Sequence, residues 1–594
     1  MIRRFVSITG VALALAAATA VAAPPVTTLQ KAPPAAPTTS DSQPALAPAP
    51  PTTLTVLAAM SSGWVRNFNP FNETSRLPSV REFIYEPLVV FNSMYGGRPE
   101  YRLATDYAFS PDLLKLTFKL RDGVQWSDGQ PFTAADVAYT FDLLRRFKAL
   151  DTLDMGNRVA AVEAIDAHTV VFTLKKVNTS IVFEIVRVPV VPRHVWSKVA
   201  DPVTFTNDNP IGTGPMTEVR RFTPQVYVQC RNPNYWDGAD LKVDCMSFPQ
   251  VRNNEQLLTA AAEGRLDWFG AFLPDIERTY VAADPKHHRY WFPPGGTVAI
   301  DINLNSPSRG NRAAFRNVNF RRAVSMAVDR RAIVDIAGYG YPEVNEYASG
   351  IGRTYQDWVN PEAERQYGKF AHFDKNGAQA LLAESGFRDV NGDGYIDNAD
   401  GSPIAFDILV PTGWTDWVNS TQLVAESLNA LGLNVRVSTV EPASWAQKLI
   451  SGDYDMAING LFPGETPYRS FDTGFHSRYS GKTRFAPTRF TDPDLDSALD
   501  AFVATIDPTE QRRAMDKVQM IVAANSPYVP LFSNPTWYEY NTRRFKGWFN
   551  ADNPVARPDV FDGTPERLLH LLALEPVKGQ SAAAAPPSPS AGGG

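Results

Sequence analysis

The stretch "FKLRDGVQWSDGQPFTAADVAYTFDLLRRF" at 118–147 indicates how this chain folds. Alternating apolar residues lead through two glycine-containing turns to Thr133, a good helix N-cap. Asp136 follows three residues later, as in a capping box. Val137, Phe141 and Leu144 then recur at helical spacing and form one apolar face. The stretch therefore predicts a strand, a turn and a packed helix.

The two ends of the chain differ in composition from its middle. Residues 1–23 begin with two arginines, continue with an apolar run and end in Ala-x-Ala, which predicts a secretory signal peptide cleaved after Ala23. No cysteine lies near this site, so we expect no lipid anchor and a periplasmic protein. Residues 24–53 and 577–594 are rich in Pro, Ala, Ser and Gly, which predicts a disordered linker and a disordered tail.

The middle of the chain has ordinary apolar content and is long enough for two or three domains. The net charge of −6, with no basic block, argues against a nucleic-acid partner. None of the seven histidines has a metal-ligand spacing, and no nucleophile elbow, P-loop or Rossmann fingerprint is present. These features favour a binding protein over an enzyme.

Several stretches in this order resemble the bacterial extracellular solute-binding proteins of family 5, the oligopeptide- and dipeptide-binding components of ABC importers. The resemblance extends over nearly the whole mature chain. It rests on "EPLV" (86–89), "LRDGVQWSDGQPFTAADVAYTF" (120–141), "IGTGPM" (211–216), "RNPNYW" (231–236), "LTAAAEGRLDW" (258–268), "FRNVNFRRAVSMAVDR" (315–330) and "NSPYVPLF" (525–532).

The resemblance implies the two-lobed α/β fold of periplasmic binding proteins, type II-like and of the large cluster C kind, with an extra domain inserted in the first lobe. Lobe I would comprise 54–78, 210–302 and 526–576, the insert 79–209 and lobe II 303–525. Strands near 297–305 and 526–532 would cross between the lobes as a hinge. A monomer would enclose its solute between the lobes and deliver it to a membrane permease and ATPase.

The nature of the solute depends on loops that follow predicted strands. Peptide binders of the family hold the ligand's ammonium group with an Asp after the strand equivalent to "YDMAING" (454–460). Here that loop carries only Glu465. Other stretches resemble the family's oligosaccharide-binding branch, because Trp and Tyr beside Asn or Asp suit the faces and hydroxyls of β-linked sugars. The predicted ligand-binding residues are Trp64, Asn67, Phe68, Asn69, Trp414, Asp416, Trp417, Asn459 and Tyr468.

A calcium-type loop lies at "DVNGDGYIDNAD" (389–400). Its oxygen-bearing residues follow the calcium-loop spacing, with Gly394 at position 6 and Asp in place of the final Glu. A helix-like stretch precedes it and a strand-like stretch follows, so the loop would be a static clip rather than a sensor, or a plain turn without metal. The candidate ligands are Asp389, Asn391, Asp393, Tyr395, Asp397 and Asp400, and no other cofactor is expected.

Only two cysteines occur, Cys230 and Cys245, on strand-like runs separated by the turn "NPNYWDG". An oxidising compartment permits a disulfide between them, and the alternative is two separate buried thiols.

Two other functions stay open at this stage. The first is a secreted hydrolase that acts on glycans or peptides through a carboxylate pair. The second is an assembly or chaperone role in the cell envelope.

Overall fold

A computed structural model describes residues 52–577 apart from Thr74 and Phe462. The predicted signal peptide, almost all of the predicted linker and nearly all of the predicted tail lie outside these residues. No helix in the described part of the chain is both long and apolar enough to span a membrane.

Strands and helices are interspersed along the chain, and the opening stretch forms the predicted strand and helix. The strands are β1 Thr53–Leu57, β2 Val89–Asn92, β3 Arg98–Tyr101, β4 Ala104–Phe109, β5 Lys115–Leu120, β6 Val159–Asp166, β7 Thr169–Leu174, β8 Glu218–Thr223, β9 Val226–Cys230, β10 Cys245–Pro249, β11 Trp268–Phe269, β12 His288–Tyr290, β13 Pro294–Ile302, β14 Glu343–Val344, β15 Ala405–Pro411, β16 Asn434–Val440, β17 Met456–Gly460, β18 Tyr528–Pro535, β19 Glu539–Asn541, β20 Phe545–Lys546 and β21 Glu575–Pro576.

The helices are α1 Ala134–Arg146, α2 Met155–Arg158, α3 Ile181–Ile185, α4 Arg193–Trp196, α5 Asn254–Ala262, α6 Ile276–Thr279, α7 Arg309–Arg316, α8 Val318–Ala327, α9 Arg330–Ala332, α10 Pro361–Tyr367, α11 Lys375–Glu384, α12 Thr415–Asn429, α13 Pro442–Ser451, α14 Tyr468–Phe475, α15 Pro493–Val503, α16 Pro508–Asn525 and α17 Arg567–Ala573. Helix α1 begins at the predicted place, with Thr133 and Asp136 forming the capping box.

Two large sheets define two lobes. The first sheet has seven strands in the order β12-β19-β11-β1-β10-β9-β8, and the second has six in the order β14-β18-β13-β17-β15-β16. A four-stranded sheet, β4-β5-β7-β6, belongs to the predicted insert. Its inward side chains join one hydrophobic core with those of β1, β9 and β10, so the insert packs as part of the first lobe. The predicted two-lobed α/β fold is confirmed.

The boundary between the lobes differs from the predicted one. Strands β13 and β18 were expected at the end of lobe I and at the hinge, but they pair with each other and belong to the second sheet. Both are buried along almost their whole length, which suits central strands of a sheet that is covered on two faces. The chain therefore passes between the sheets at 291–293 and again at 536–538.

The two cysteines form a disulfide in the first lobe. Cys230 at the end of β9 faces Cys245 at the start of β10 across an antiparallel pair, and their sulfurs are bonded. The bond closes the turn that the sequence places between these strands.

Candidate ligand-binding cleft

Loops from both lobes meet where parallel strands end. Strands β1, β10 and β11 run parallel in the first sheet, as β15, β16 and β17 do in the second. The start of α5, which follows β10, contacts the loop after β15, where the Nδ2 of Asn254 lies 3.5 Å from the carbonyl oxygen of Gly413. Open α/β sheets bind ligands beyond the carboxyl ends of their strands, so this junction is the candidate cleft.

Three tryptophans lie together at the carboxyl edge of the second sheet. Trp414 precedes α12, and its ring lies 4.9 Å from that of Trp417 and 5.9 Å from that of Trp445. Trp417 and Trp445 are buried, and the Trp445 indole N–H donates to the carbonyl of Ile458. Trp414 is 40% exposed, so this tryptophan cluster presents one indole plane to solvent on a fixed base.

Asp416 lies on the first turn of α12 rather than on a loop, which differs from the prediction. Helix α12 begins at Thr415, immediately after Trp414, so Asp416 follows Trp414 by two residues on the same turn. Burial raises the pKa of its carboxyl to about 6, against the effect of the Trp417 backbone N–H. Asp416 is half-buried at the start of α12, and an ionised carboxylate can accept hydrogen bonds from a polar ligand.

Asn459 is an internal bracing residue and does not face the cleft. Its amide donates to Asp301 Oδ2 at 2.9 Å and to the Arg484 carbonyl at 2.9 Å, and its oxygen accepts from the Arg484 guanidinium at 3.3 Å. These bonds hold Arg484, whose guanidinium lies 5.3 Å from the Trp445 ring centroid. Burial raises the pKa of Asp301 to about 7, against the effect of the Asn459 hydrogen bond.

Tyr468 is also a core residue. Its ring stacks on Phe502 at 5.1 Å, and its hydroxyl accepts from the Arg478 guanidinium at 3.3 Å. Only 5% of it is exposed, so the structure places Tyr468 in the core of the second lobe and not on the cleft surface.

The predicted aromatic and amide residues after β1 pack inside the first lobe. Trp64 donates its indole N–H to the Phe248 carbonyl, and Phe68 is fully buried against Tyr227. Asn67 and Asn69 are buried as well, and Asn69 donates to two backbone carbonyls, at Pro202 and Phe205. These four side chains stabilise the loop rather than forming a ligand surface.

The lobes touch at three further places that sequence reasoning missed. On the insert, Thr179 donates its N–H to Val503 O and its hydroxyl to Thr505 O. Near the crossing segments, the Ile276 N–H donates to the Tyr341 hydroxyl at 2.7 Å. Such contacts join residues distant in sequence and leave no local pattern that reveals them.

The third contact is an ion pair between Arg187 of the insert and Glu465 of the second lobe. The Arg187 Nη2 lies 2.7 Å from Glu465 Oε1, and both side chains are largely buried. Gly97 of the insert lies against Glu465, since a Cβ at Gly97 would come within 3.1 Å of the Glu465 Cβ. Burial of Glu465 raises the pKa of its carboxyl, but the charge of Arg187 outweighs this effect and holds the pKa below its usual value. Glu465, the acid in the loop after β17, is therefore occupied by a residue of the chain itself.

The calcium-type loop connects α11 to β15, as predicted. Asp389 accepts from the backbone N–H groups of Gly392 and Gly394 at 2.7 and 2.9 Å. Asp393 accepts from Tyr395 N at 2.9 Å, while Asp397 is buried and accepts from Val390 N. Among the described residues, no three acidic, histidine or cysteine side chains are grouped closely enough to hold a metal. The oxygens are held in one loop by turn hydrogen bonds, and calcium stays a prediction.

Comparison with known proteins agrees with this architecture. The family model for bacterial extracellular solute-binding proteins, family 5 Middle, matches residues 98–482. Protein XP55 of Streptomyces lividans is 30% identical over 429 residues, which cover 70% of this chain and 72% of that protein. An ABC transporter peptide-binding protein of Brucella ovis is 24% identical over 487 residues, or 78% and 84% of the two chains.

Solved structures of the same fold span both lobes. The periplasmic oligopeptide-binding protein of an ABC transporter from Thermotoga maritima, solved with mannohexaose, has a TM-score of 0.78 and 25% identity, covering 89% of this chain and 99% of its own. Oligopeptide-binding AppA from Bacillus subtilis, solved with a nonapeptide, has a TM-score of 0.69 at 19% identity and shows the fold alone. With the family model matched from the insert through β17, the chain belongs to the bacterial extracellular solute-binding proteins of family 5, which serve ABC importers of peptides or other oligomeric solutes.

Proposed function

We propose that this protein captures a β-linked oligosaccharide between its lobes and delivers it unchanged to a membrane permease and ATPase. The observation that carries the proposal is the exposed indole of Trp414, fixed against two buried tryptophans at the cleft. In this proposal the protein acts as a periplasmic monomer.

The tryptophan cluster suits a sugar for a direct physical reason. The C–H faces of a β-linked sugar pack on an aromatic plane, and its hydroxyls need polar partners nearby. Asp416, two residues after Trp414 in the first turn of α12, is the candidate acceptor. A rigid base under the indole also lowers the entropy lost when ligand binds.

One relative gives independent support for a sugar ligand. The Thermotoga maritima protein at 25% identity was solved with mannohexaose, although its name describes oligopeptide binding. An oligomer of sugars is therefore compatible with this architecture.

Oligopeptide is the second candidate, because the Brucella ovis relative is named as a peptide-binding protein. A bound peptide brings an ammonium group that needs an acid, and burying this cation unpaired costs several kcal/mol. Glu465 is the acid of the loop after β17, and it is engaged by Arg187. This arrangement favours the sugar over the peptide.

Calorimetry on the Trp414→Ala variant tests the proposal. We expect it to weaken binding of a β-linked tetra- to hexasaccharide by about 1–3 kcal/mol, as for the loss of an aromatic contact. Phe373→Ala, which removes a similarly exposed ring elsewhere on the second lobe, is the matched control and should bind as wild type. If wild type and Trp414→Ala bind the oligosaccharide equally and unmodified peptides bind tightly, the proposal is wrong and the protein binds peptides.

A further inference from the structure

A second arginine lies beside the ion pair that joins the lobes. Arg469 is on the first turn of α14, four residues after Glu465. Its side chain packs on the loop backbone, since a Cβ at Gly464 would come within 2.7 Å of the Arg469 Cβ. Arg187 of the insert is its strongest electrostatic neighbour, and Glu465 is another. Arg469 therefore lies where the insert meets the second lobe.

The acids around Arg469 are already engaged by other residues. Glu465 binds Arg187, and Glu184 binds Arg158 through both carboxylate oxygens. The nearby Tyr355 hydroxyl donates to the Gly464 carbonyl and accepts from the Gly464 N–H. Within residues 52–577, leaving aside Thr74 and Phe462, the Arg469 guanidinium has neither a hydrogen bond nor an ion pair.

This arrangement leaves one positive charge uncompensated in a partly buried place. Arg187 and Arg469 both lie near Glu465, and only Arg187 forms an ion pair with it. Repulsion from Arg187 and burial together lower the pKa of Arg469 to about 10, which leaves it charged at neutral pH. A partly buried charge without a partner is unfavourable, and an anion supplied from outside would relieve the cost.

We propose that Arg469 binds a carboxylate of the transported solute when the lobes enclose it. The proposal rests on the proposed function, because it concerns the solute that the two lobes would enclose. A guanidinium binds a planar carboxylate through two parallel hydrogen bonds, which gives both affinity and orientation. The carboxylate comes either from a uronic acid unit of an acidic oligosaccharide or from the carboxyl group of a peptide.

Calorimetry on wild type, Arg469→Gln and Arg513→Gln separates these possibilities. Arg513 is an exposed arginine on α16 of the second lobe, paired with Glu510, and provides the matched control. Each protein is titrated with a neutral β-linked oligosaccharide, with a uronate-bearing oligosaccharide of the same length, and with a peptide in free-acid and amidated forms. Thermal melting of the ligand-free proteins is measured in parallel.

The ligands form two pairs, the uronate-bearing and neutral oligosaccharides and the free-acid and amidated peptides. In one of these pairs, we expect wild type and Arg513→Gln to bind the carboxylate-bearing ligand about tenfold more tightly or better, as for a charge-assisted hydrogen bond. In Arg469→Gln this preference should fall to about one. The ligand-free Arg469→Gln protein should melt no lower than wild type, because it loses a charge that lacks an internal partner.

The outcomes separate this proposal from the proposed function. If the peptide pair shows the preference and no oligosaccharide binds, the carboxylate site stands and the sugar ligand is wrong. A preference that persists in Arg469→Gln overturns the site while leaving a sugar ligand intact. A lower melting temperature of ligand-free Arg469→Gln shows that Arg469 has an internal partner and also overturns it, whatever ligand binds.

Discussion

The carboxyl of Asp416 changes its charge near the pH at which binding would be measured. Burial raises its pKa from 3.8 to about 6. The proposed contact of Asp416 with a sugar would need the ionised carboxylate, because this form offers both oxygens fully as acceptors. We expect oligosaccharide affinity to fall as the pH decreases through about 6, and calorimetry between pH 5 and 8 measures it.

The control for this prediction is Asp416→Asn, whose affinity should vary less with pH. The comparison is needed because burial also raises the pKa of Asp301 to about 7. Stability changes in the opposite sense to affinity. The folded protein holds the Asp416 proton more tightly than the unfolded chain, so this contribution to stability is lost as the pH rises from about 4 to about 6. Identical pH profiles for wild type and Asp416→Asn would remove Asp416 from the site.

Tryptophans show what a sequence can reveal about single residues. Trp414 and Trp64 both follow a strand and have polar neighbours, yet Trp414 is 40% exposed and Trp64 is 8% exposed. The difference arises from the turn at Pro224 and from Phe248, which cover Trp64 and are distant in sequence. Residue type and local position therefore identify candidates, whereas burial depends on contacts that local patterns do not encode. The sequence did not identify Arg469 as a candidate ligand-binding residue for the same reason.

At the scale of elements, the calcium-type loop makes a separate prediction. The loop lies between α11 and β15, so a bound ion would brace the second lobe without touching the tryptophan cluster. We expect a chelator to lower the melting temperature while ligand affinity stays nearly constant. Asp393→Ala should abolish the chelator effect, because it removes a ligand from the loop.

The matched control is Asp240→Ala, which removes an exposed acid on the first lobe and should respond to chelator as wild type does. If all three proteins melt alike with and without calcium, the loop is a turn held by the backbone hydrogen bonds of Asp389 and Asp393.

Helices and strands that are marked by a local sequence pattern could be predicted from the sequence. The elements against which they pair or pack could not. The capping box of Thr133 and Asp136 marks the start of α1 because the two residues satisfy each other's backbone N–H groups. Strands β13 and β18 carry apolar residues towards both faces, so their pattern indicates burial without indicating which sheet they join. The predicted lobe boundary was wrong for this reason.

For the whole molecule, the Arg187–Glu465 pair would link ligand binding to the expected closure of the lobes. The pair forms between the insert and the second lobe, so it contributes only when the lobes approach each other. We expect Glu465→Gln to enlarge the radius of gyration of the ligand-free protein in small-angle X-ray scattering. Saturating ligand should compact both wild type and the variant.

Glu510→Gln is the control, since it breaks an exposed pair within α16 of the second lobe. It should scatter as wild type. A radius of gyration that responds neither to ligand nor to Glu465→Gln would contradict closure about the two crossing segments.

The whole-molecule organisation could be predicted because several family stretches occur in one order along the chain. Their matches fix the two-lobed fold, and the family model spans residues 98–482. The ligand could not be predicted in the same way, because it depends on a few side chains of the cleft, for which Trp414 and Asp416 are only candidates. The Thermotoga maritima protein was solved with mannohexaose and AppA from Bacillus subtilis with a nonapeptide. Proteins of the same fold therefore bind chemically different ligands.

Native mass spectrometry can identify the bound solute and show whether the protein alters it. The purified protein is incubated for hours with equal amounts of a β-linked hexasaccharide and an unmodified oligopeptide, and its bound mass is recorded. We predict one intact hexasaccharide per chain, with the free sugar unaltered and the adduct diminished in Trp414→Ala. A peptide adduct in its place, or shortened sugars released with time, would contradict the account.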